Sequence, residues 1–219
     1  MKTLIITVEK FVQNLFSSDY SGHDWHHINR VRNLSLYLQK MEGGNRDLIE
    51  LASLLHDISD HKLNGGILNI NGDEARKTLL NFGSDEEVAD EVKKIVDTIS
   101  FKGANVPDTP FSIEAKIIQD ADRLDAMGAI GIARTFAFGG AKKQPIYDEN
   151  ITHKMHNSFE EYAKGGTHTI NHFYEKLLLL KDRLHTPTAI EIGEKRHLIM
   201  QNFLNDFFDE WDQNKMKPE

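Results

Sequence analysis

Cysteine is absent from the 219 residues, which excludes a disulfide framework and any thiolate metal site. A metal bound here has only His, Asp and Glu to hold it. An excess of positive charge is lacking too: 26 Lys and Arg stand against 34 Asp and Glu, a formal charge of −8. No chain-wide field therefore draws the protein to nucleic acid or to an anionic membrane, and neither is expected as a partner. Purely apolar runs are only a few residues long, so no membrane span is expected. The apolar opening at residues 3–8 runs straight into Glu9 and Lys10 with no small-residue cleavage site, unlike a signal peptide. These absences suit a cytoplasmic protein. The 39% of hydrophobic residues suffices for one globular domain with a well-buried core.

Apolar residues recur with helical period almost throughout. Trp25, Ile28, Val31, Leu34, Leu38 and Met41 draw a stripe along a helix from about residue 24 to 42, which Gly43-Gly44 ends. Asn45 is placed to cap the next helix, with Asp47 in its first turn and Leu48, Leu51, Ala52 and Leu55 on its buried face. Residues 62–72, with Asn64-Gly65-Gly66 and Asn71-Gly72, read as an irregular loop. Ser84-x-x-Glu87 is a capping-box pattern ahead of Val88, Val92, Ile95, Val96 and Ile99. After a break at residues 101–110, Ile113, Ile117, Ala121, Leu124 and Gly128 mark another helix, and residues 138–156 read as a long surface loop. Helix restarts at Asn157 or Ser158. The last one opens on Thr186-Pro187 and carries Ile190, Leu198, Phe203, Leu204, Phe207, Phe208 and Trp211. No strand, internal repeat or low-complexity tract stands out, and the fold class expected is all-α.

Two His-Asp pairs occur, and the dipeptide alone carries little weight. Position separates them. His23-Asp24 lies at the polar start of a helix, where electrostatics at the helix terminus account for Asp24. His56-Asp57 instead closes the apolar helix at residues 51–55. His27 precedes Val31 by one turn and Asp122 follows Ile118 by one turn, so both face the core. A buried carboxylate without a partner is costly, so His27, His56, Asp57 and Asp122 need one another or a cation. A shared divalent ion is the reading that serves all four.

His23-Asp24-x-x-His27-x-x-Arg30-Val31, then His56-Asp57, then Asp122 within Ala121-Asp122-Arg123-Leu124, resembles the HD-domain metal-dependent phosphohydrolases. Residues 119–134 and the later His172-Phe173-Tyr174-Glu175-Lys176-Leu177 are similar to a bacterial subgroup, the YpgQ/YedJ-like proteins, associated with nucleoside triphosphate pyrophosphohydrolase activity. The resemblance implies an HD-type helical bundle over residues 1–219, with a metal-binding core at about 20–135 and a C-terminal helical extension at about 151–219. It implies metal ligation by His27, His56, Asp57 and Asp122, and an additional acid at Asp60, three residues after Asp57. The oxygenase branch of this superfamily uses paired irons; His61 offers one extra ligand here, but a second histidine pair on the following helix is lacking, which favours one ion.

Two His and two Asp suit manganese first, with Ni, Fe, Co, Mg or Zn as alternatives. The implied reaction is attack of metal-activated water on phosphorus in a small phosphorylated substrate, a nucleotide above all, with Asp57 and Asp60 as catalytic carboxylates. Arg30, Lys62, Arg123 and Arg134 are the cations nearest the ligands in sequence, and Lys102 lies on a nearby loop; each is a candidate for meeting substrate charge or a plain surface or helix-pairing charge. Lys142-Lys143 reads better as solvated. His172 and Lys176 share a helix face and could line the pocket, although packing of Phe173 and Leu177 explains the segment equally. The most specific reaction is conversion of a nucleoside triphosphate to the monophosphate and pyrophosphate. Alternatives are a 5'-nucleotidase, an alarmone or cyclic-nucleotide hydrolase, or a regulatory module that binds a phosphorylated ligand without cleaving it. The apolar C-terminal helix can cover its own core or a second subunit, which leaves a homodimer open.

Overall fold

The computed structural model describes residues 1–17, 24–58, 71–99, 108, 110–154 and 168–212. Among them every regular element is helical, as the apolar spacing predicts. Helix α1 (Lys2–Leu15) buries Ile5, Val8 and Val12. Asp24 starts α2 (Trp25–Glu42) by accepting the backbone N–H of His27 at 2.8 Å. Gly43, at φ 87°, stops it in the left-handed region that costs other residues a clash. Helix α3 (Arg46–Leu55) begins where the Asn45 side chain accepts the amides of Asp47 and Leu48, at 3.1 and 3.3 Å.

From Ile49 to Leu55 every residue of α3 is buried, the signature of a central helix. It packs against α1, α2 and two later helices, α5 (Glu86–Val96) and α6 (Ile113–Asp125). Its one buried acid, Glu50, is held by Arg46 at 3.1 Å and by Arg32 of α2, which also reaches Glu9 of α1 at 2.8 Å. The ion pairs lock the first three helices at a fixed register. Helix α4 (Asn71–Asn81) forms a hairpin with α5 across Gly83.

The chain continues through α7 (Gly128–Ala141), the short α8 (Asn171–Glu175), the 3-10 turns Leu177–Leu179 and Lys181–Arg183, and the long α9 (Pro187–Trp211). Helix α9 lies across α7, α6 and α2. Aromatic contacts among Phe136, Phe173, Phe203 and Phe207 fill the space between α7, α8 and α9.

Several boundaries differ from the sequence reading. Asn71-Gly72 opens α4 rather than closing a loop; residues 62–70, the rest of that expected loop, lie outside the described residues. Ser84 does not cap α5: its hydroxyl meets the Asp85 carbonyl, and Asp85 takes the N-cap position. Gly128, expected to continue α6, starts α7 after a turn at Ala126 and Met127, with φ 70°. Helix α7 also continues through Gly139-Gly140 to Ala141, because Gly139 lets it approach Thr169 more closely than a Cβ would allow. Helix α9 presents Ala189, Gly193, Met200 and Leu204 to the core, with Phe203, Phe207 and Phe208 packed beside them, while Ile190, Leu198 and Trp211 are exposed, so small residues mark its inner face in the first half and large ones in the second. Met41 likewise falls outside the α2 stripe, at 61% exposure. The break at 101–107 and the helix start at Asn157 or Ser158 lie outside the described residues.

Candidate metal centre

Three helices deliver the cluster. His27 sits in the first turn of α2, where the Asp24 cap fixes its backbone, and its side chain is fully buried. His56 follows the last residue of the central α3 and is 2% exposed, with Asp57 next to it at the surface of the core. Asp122 lies in the last turn of α6, with a side chain 32% exposed.

The four side chains converge. His27 Nε2 lies 3.2 Å from His56 Nε2, 3.3 Å from Asp57 Oδ2 and 3.6 Å from Asp122 Oδ1. His56 Nε2 lies 3.6 Å from Asp57 Oδ2 and 3.9 Å from Asp122 Oδ1. The other nitrogen of each ring is committed elsewhere. His27 Nδ1 is 2.7 Å from Asp125 Oδ2 and His56 Nδ1 is 2.8 Å from the Ser53 carbonyl. Carboxylate and carbonyl oxygens only accept, so both Nδ1 atoms donate, and each neutral ring turns the lone pair of Nε2 toward the cluster.

Two imidazole lone pairs and two carboxylate oxygens thus face one another in a largely buried space. A cation is what such a set of acceptors requires. Ligand atoms about 2.1 Å from a first-row divalent ion lie roughly 3.0–3.4 Å apart, so the observed spacings match that chemistry with small inward adjustment. His27, His56 and Asp57 bring one ligand atom each within 4.8 Å of one another, and Asp122 approaches this trio through the two histidines. The same acceptors also favour a proton. Burial and the charge of Arg134 oppose a protonated His27, yet hydrogen bonds to Asp125 and Asp57 outweigh them and raise its pKa above the ordinary value, so a proton competes with a cation for Nε2.

Asp125, one turn after Asp122 on the same face of α6, joins the site through His27, a position the sequence reading did not assign. Its carboxylate takes His27 Nδ1, Arg30 Nε at 2.7 Å and Nη2 at 3.1 Å, and Arg134 Nη1 at 2.8 Å. Burial alone would raise its pKa; the hydrogen bonds from His27 and Arg30, with the charge of Arg134, hold it well below the usual carboxylate range. The i, i+3 spacing of the two aspartates was the signal available.

Of the other expected site residues, Arg30 and Arg134 come together on Asp125 behind His27. Arg123 does not join them. One step along a helix turns a side chain by about 100°, and Arg123, 3% exposed, points away into an ion pair with Asp108 at 2.6 Å. It also donates to the Arg183 carbonyl and lies 3.1 Å from His185 Nε2. These contacts tie α6 to the Lys181–Arg183 turn. Asp60, His61, Lys62 and Lys102 lie outside the described residues. His172 stands on α8, with Lys176 just beyond it, beside the core residues Phe173 and Leu177. Lys142 lies over the Phe138 ring at 5.7 Å, and Lys143 occupies the left-handed region at φ 57°.

Comparison with known proteins agrees with this geometry. The family model described as HD domain matches residues 24–127, which include all four converging side chains. YpgQ of Bacillus subtilis is 39% identical over 198 residues, 90% of this chain and 88% of its own. Its crystal structure in complex with ADP superposes with a TM-score of 0.73 at 35% identity, covering 94% of this chain and 97% of that one. An HD-superfamily hydrolase from Bacillus thuringiensis superposes with a TM-score of 0.72 at 39% identity, covering 96% of this chain and 98% of that one. Among the described residues no helix is long and apolar enough to cross a membrane. A converging His and Asp set on three helices, in a chain with these relatives, belongs to the HD-domain superfamily of metal-dependent phosphohydrolases.

Proposed function

We propose that the chain hydrolyses nucleoside triphosphates to the monophosphate and pyrophosphate, with one divalent ion, manganese in first place, held by His27, His56, Asp57 and Asp122. The observation that carries the reading is the convergence of two Nε2 lone pairs and two carboxylate oxygens at 3.2–3.9 Å. A nucleotide is favoured because the related YpgQ was crystallised with ADP. A divalent ion bound there makes a coordinated water acidic and polarises a phosphoryl oxygen.

The chain's own groups supply the rest. A water oxygen forms a bond to the α-phosphorus, the bridging bond to the β-phosphate breaks, and its electron pair leaves with pyrophosphate. Asp57 lies at the edge of the core, where its carboxylate orients the water, and Asp60, three residues on, accepts the proton. His27 and His56 are held in one tautomer by Asp125 and the Ser53 carbonyl, so they enter the reaction already oriented. Arg30 grips Asp125 through Nε and Nη2, while Nη1 engages no acceptor among the described residues and is offered to a phosphate oxygen. Arg134, Lys62 and Lys102 are assigned to the same negative charge.

The test is product analysis of the manganese-loaded protein against nucleoside mono-, di- and triphosphates, resolving phosphate from pyrophosphate, with Asp122→Ala as control. Pyrophosphate from triphosphates supports the reading. Phosphate released from monophosphates replaces it with a nucleotidase, and tight nucleotide binding with no product replaces it with a regulatory module.

A further inference from the structure

The most elaborate polar arrangement near the cluster belongs to a residue that touches none of the reacting groups. Asp125 is 5% exposed, and three side chains from two other helices close on its two oxygens. Oδ1 accepts Arg30 Nε; Oδ2 accepts His27 Nδ1, Arg30 Nη2 and Arg134 Nη1, all between 2.7 and 3.1 Å. Arg30 therefore grips the carboxylate as a fork, Nε on one oxygen and Nη2 on the other. Such a carboxylate cannot rotate without breaking several charge-assisted bonds. The ring it orients, His27, is the side chain nearest to all three other members of the cluster.

We propose that Asp125 is the positioning residue of the metal centre, fixing His27 with Nδ1–H outward and Nε2 inward, and that the Arg30 and Arg134 clamp on Asp125 sets how tightly the ion is held. The inference rests on the metal-centre reading above. It also gives Arg30 two roles, because the two guanidinium nitrogens that hold Asp125 tie the ligand shell to the one nitrogen offered to substrate.

Asparagine at position 125 separates this role from simple space filling, because it keeps the shape and changes the donors. If its carbonyl oxygen takes the place of Oδ2, it keeps His27 Nδ1–H but its NH₂ opposes Arg30 Nε; if it takes the place of Oδ1, its NH₂ faces His27 Nδ1, Arg30 Nη2 and Arg134 Nη1 and forces the ring proton onto Nε2. Both remove the negative charge behind the ring and break part of the clamp. Loss of an outer partner of a metal-bound histidine generally costs about 10–100-fold in affinity.

The experiment is calorimetric titration of manganese into the full chain, wild type, Asp125→Asn and Arg30→Gln. It is paired with proton–nitrogen correlation spectra of the His27 ring in the metal-free proteins at alkaline pH, the signal being assigned by its loss in His27→Gln. The expected result is manganese binding weakened about 10–100-fold in Asp125→Asn and about 10-fold in Arg30→Gln. In the spectra, the neutral wild-type His27 ring carries its proton on Nδ1, hydrogen-bonded to Asp125. Because Arg30 is partly exposed, Arg30→Gln provides the affinity test even if the aspartate variant folds poorly. Unchanged affinity in both variants, or a neutral wild-type His27 ring with its proton on Nε2, overturns the proposal. A wild-type chain that binds no manganese contradicts the metal-centre reading instead, and the tautomer of the wild-type His27 ring then decides the role of Asp125 by itself.

Discussion

At the scale of single residues, the position of a charge relative to its helix decides what it can do. Asp122 and Arg123 are neighbours in sequence and belong to different parts of the molecule, one facing the cluster and the other locking α6 to the Lys181–Arg183 turn. Removing one member of a buried ion pair strands the other, so Arg123→Ala is expected to cost about 3 kcal/mol of stability, read from urea denaturation in chelator. Manganese affinity, scaled to the folded fraction, is expected to stay at the wild-type value. A loss of affinity with unaltered stability would return Arg123 to the site. The sequence showed the four converging side chains because each combined a chemistry-bearing residue with a position on a buried helix face. Asp125 was harder to read: its role depends on Arg30 and Arg134, residues 95 and 9 positions away, and no spacing rule joins them.

At the scale of elements, apolar period located α2, α3, α5, α6 and α9, and the caps at Asp24 and Asn45 and the helix start at Thr186-Pro187 fell where helix-start chemistry puts them. The departures occur where backbone approach, not hydrophobicity, sets the structure. Gly128 turns the chain between α6 and α7, and Gly131 sits so close to the end of α6 that a Cβ there would overlap the Ala126 carbonyl. Neither demand leaves a periodic trace. Gly131→Ala is accordingly expected to destabilise by about 1–3 kcal/mol, since the obstacle is backbone and cannot rotate away. Denaturant unfolding checks this, and a neutral result would show that the α6–α7 turn has slack. On α9 the apolar pattern marked the inner face at Phe203, Leu204, Phe207 and Phe208 but not in the first half, where Ala189 and Gly193 admit close packing that leaves the larger Ile190 and Leu198 outside.

At the scale of the molecule, the bundle is a device for bringing three helix ends together. The central α3 is buried along most of its length, so the only place for its last polar residues is the end of the core, where α2 and α6 also present theirs. Packing that satisfies the apolar surface therefore gathers acceptors that do not satisfy one another. A divalent ion resolves that conflict in the folded state and has no equivalent site in the unfolded chain. Manganese at about 100 times its dissociation constant is expected to add about 2.7 kcal/mol, or roughly 5–10 °C in Tm, reversed by chelator. Calorimetry or fluorescence melting checks it, and an unchanged Tm at saturating manganese would mean that the cluster is satisfied without an ion.

The central claim is that His27, His56, Asp57 and Asp122 hold one ion that drives phosphoryl hydrolysis. It is tested most directly by measuring metal content and turnover of a triphosphate panel on the same preparations of wild type, His56→Ala and Asp122→Ala, reconstituted with manganese. About one ion per wild-type chain is predicted, with pyrophosphate as the product and loss of both in each variant. Full turnover by a variant that retains no metal would contradict it.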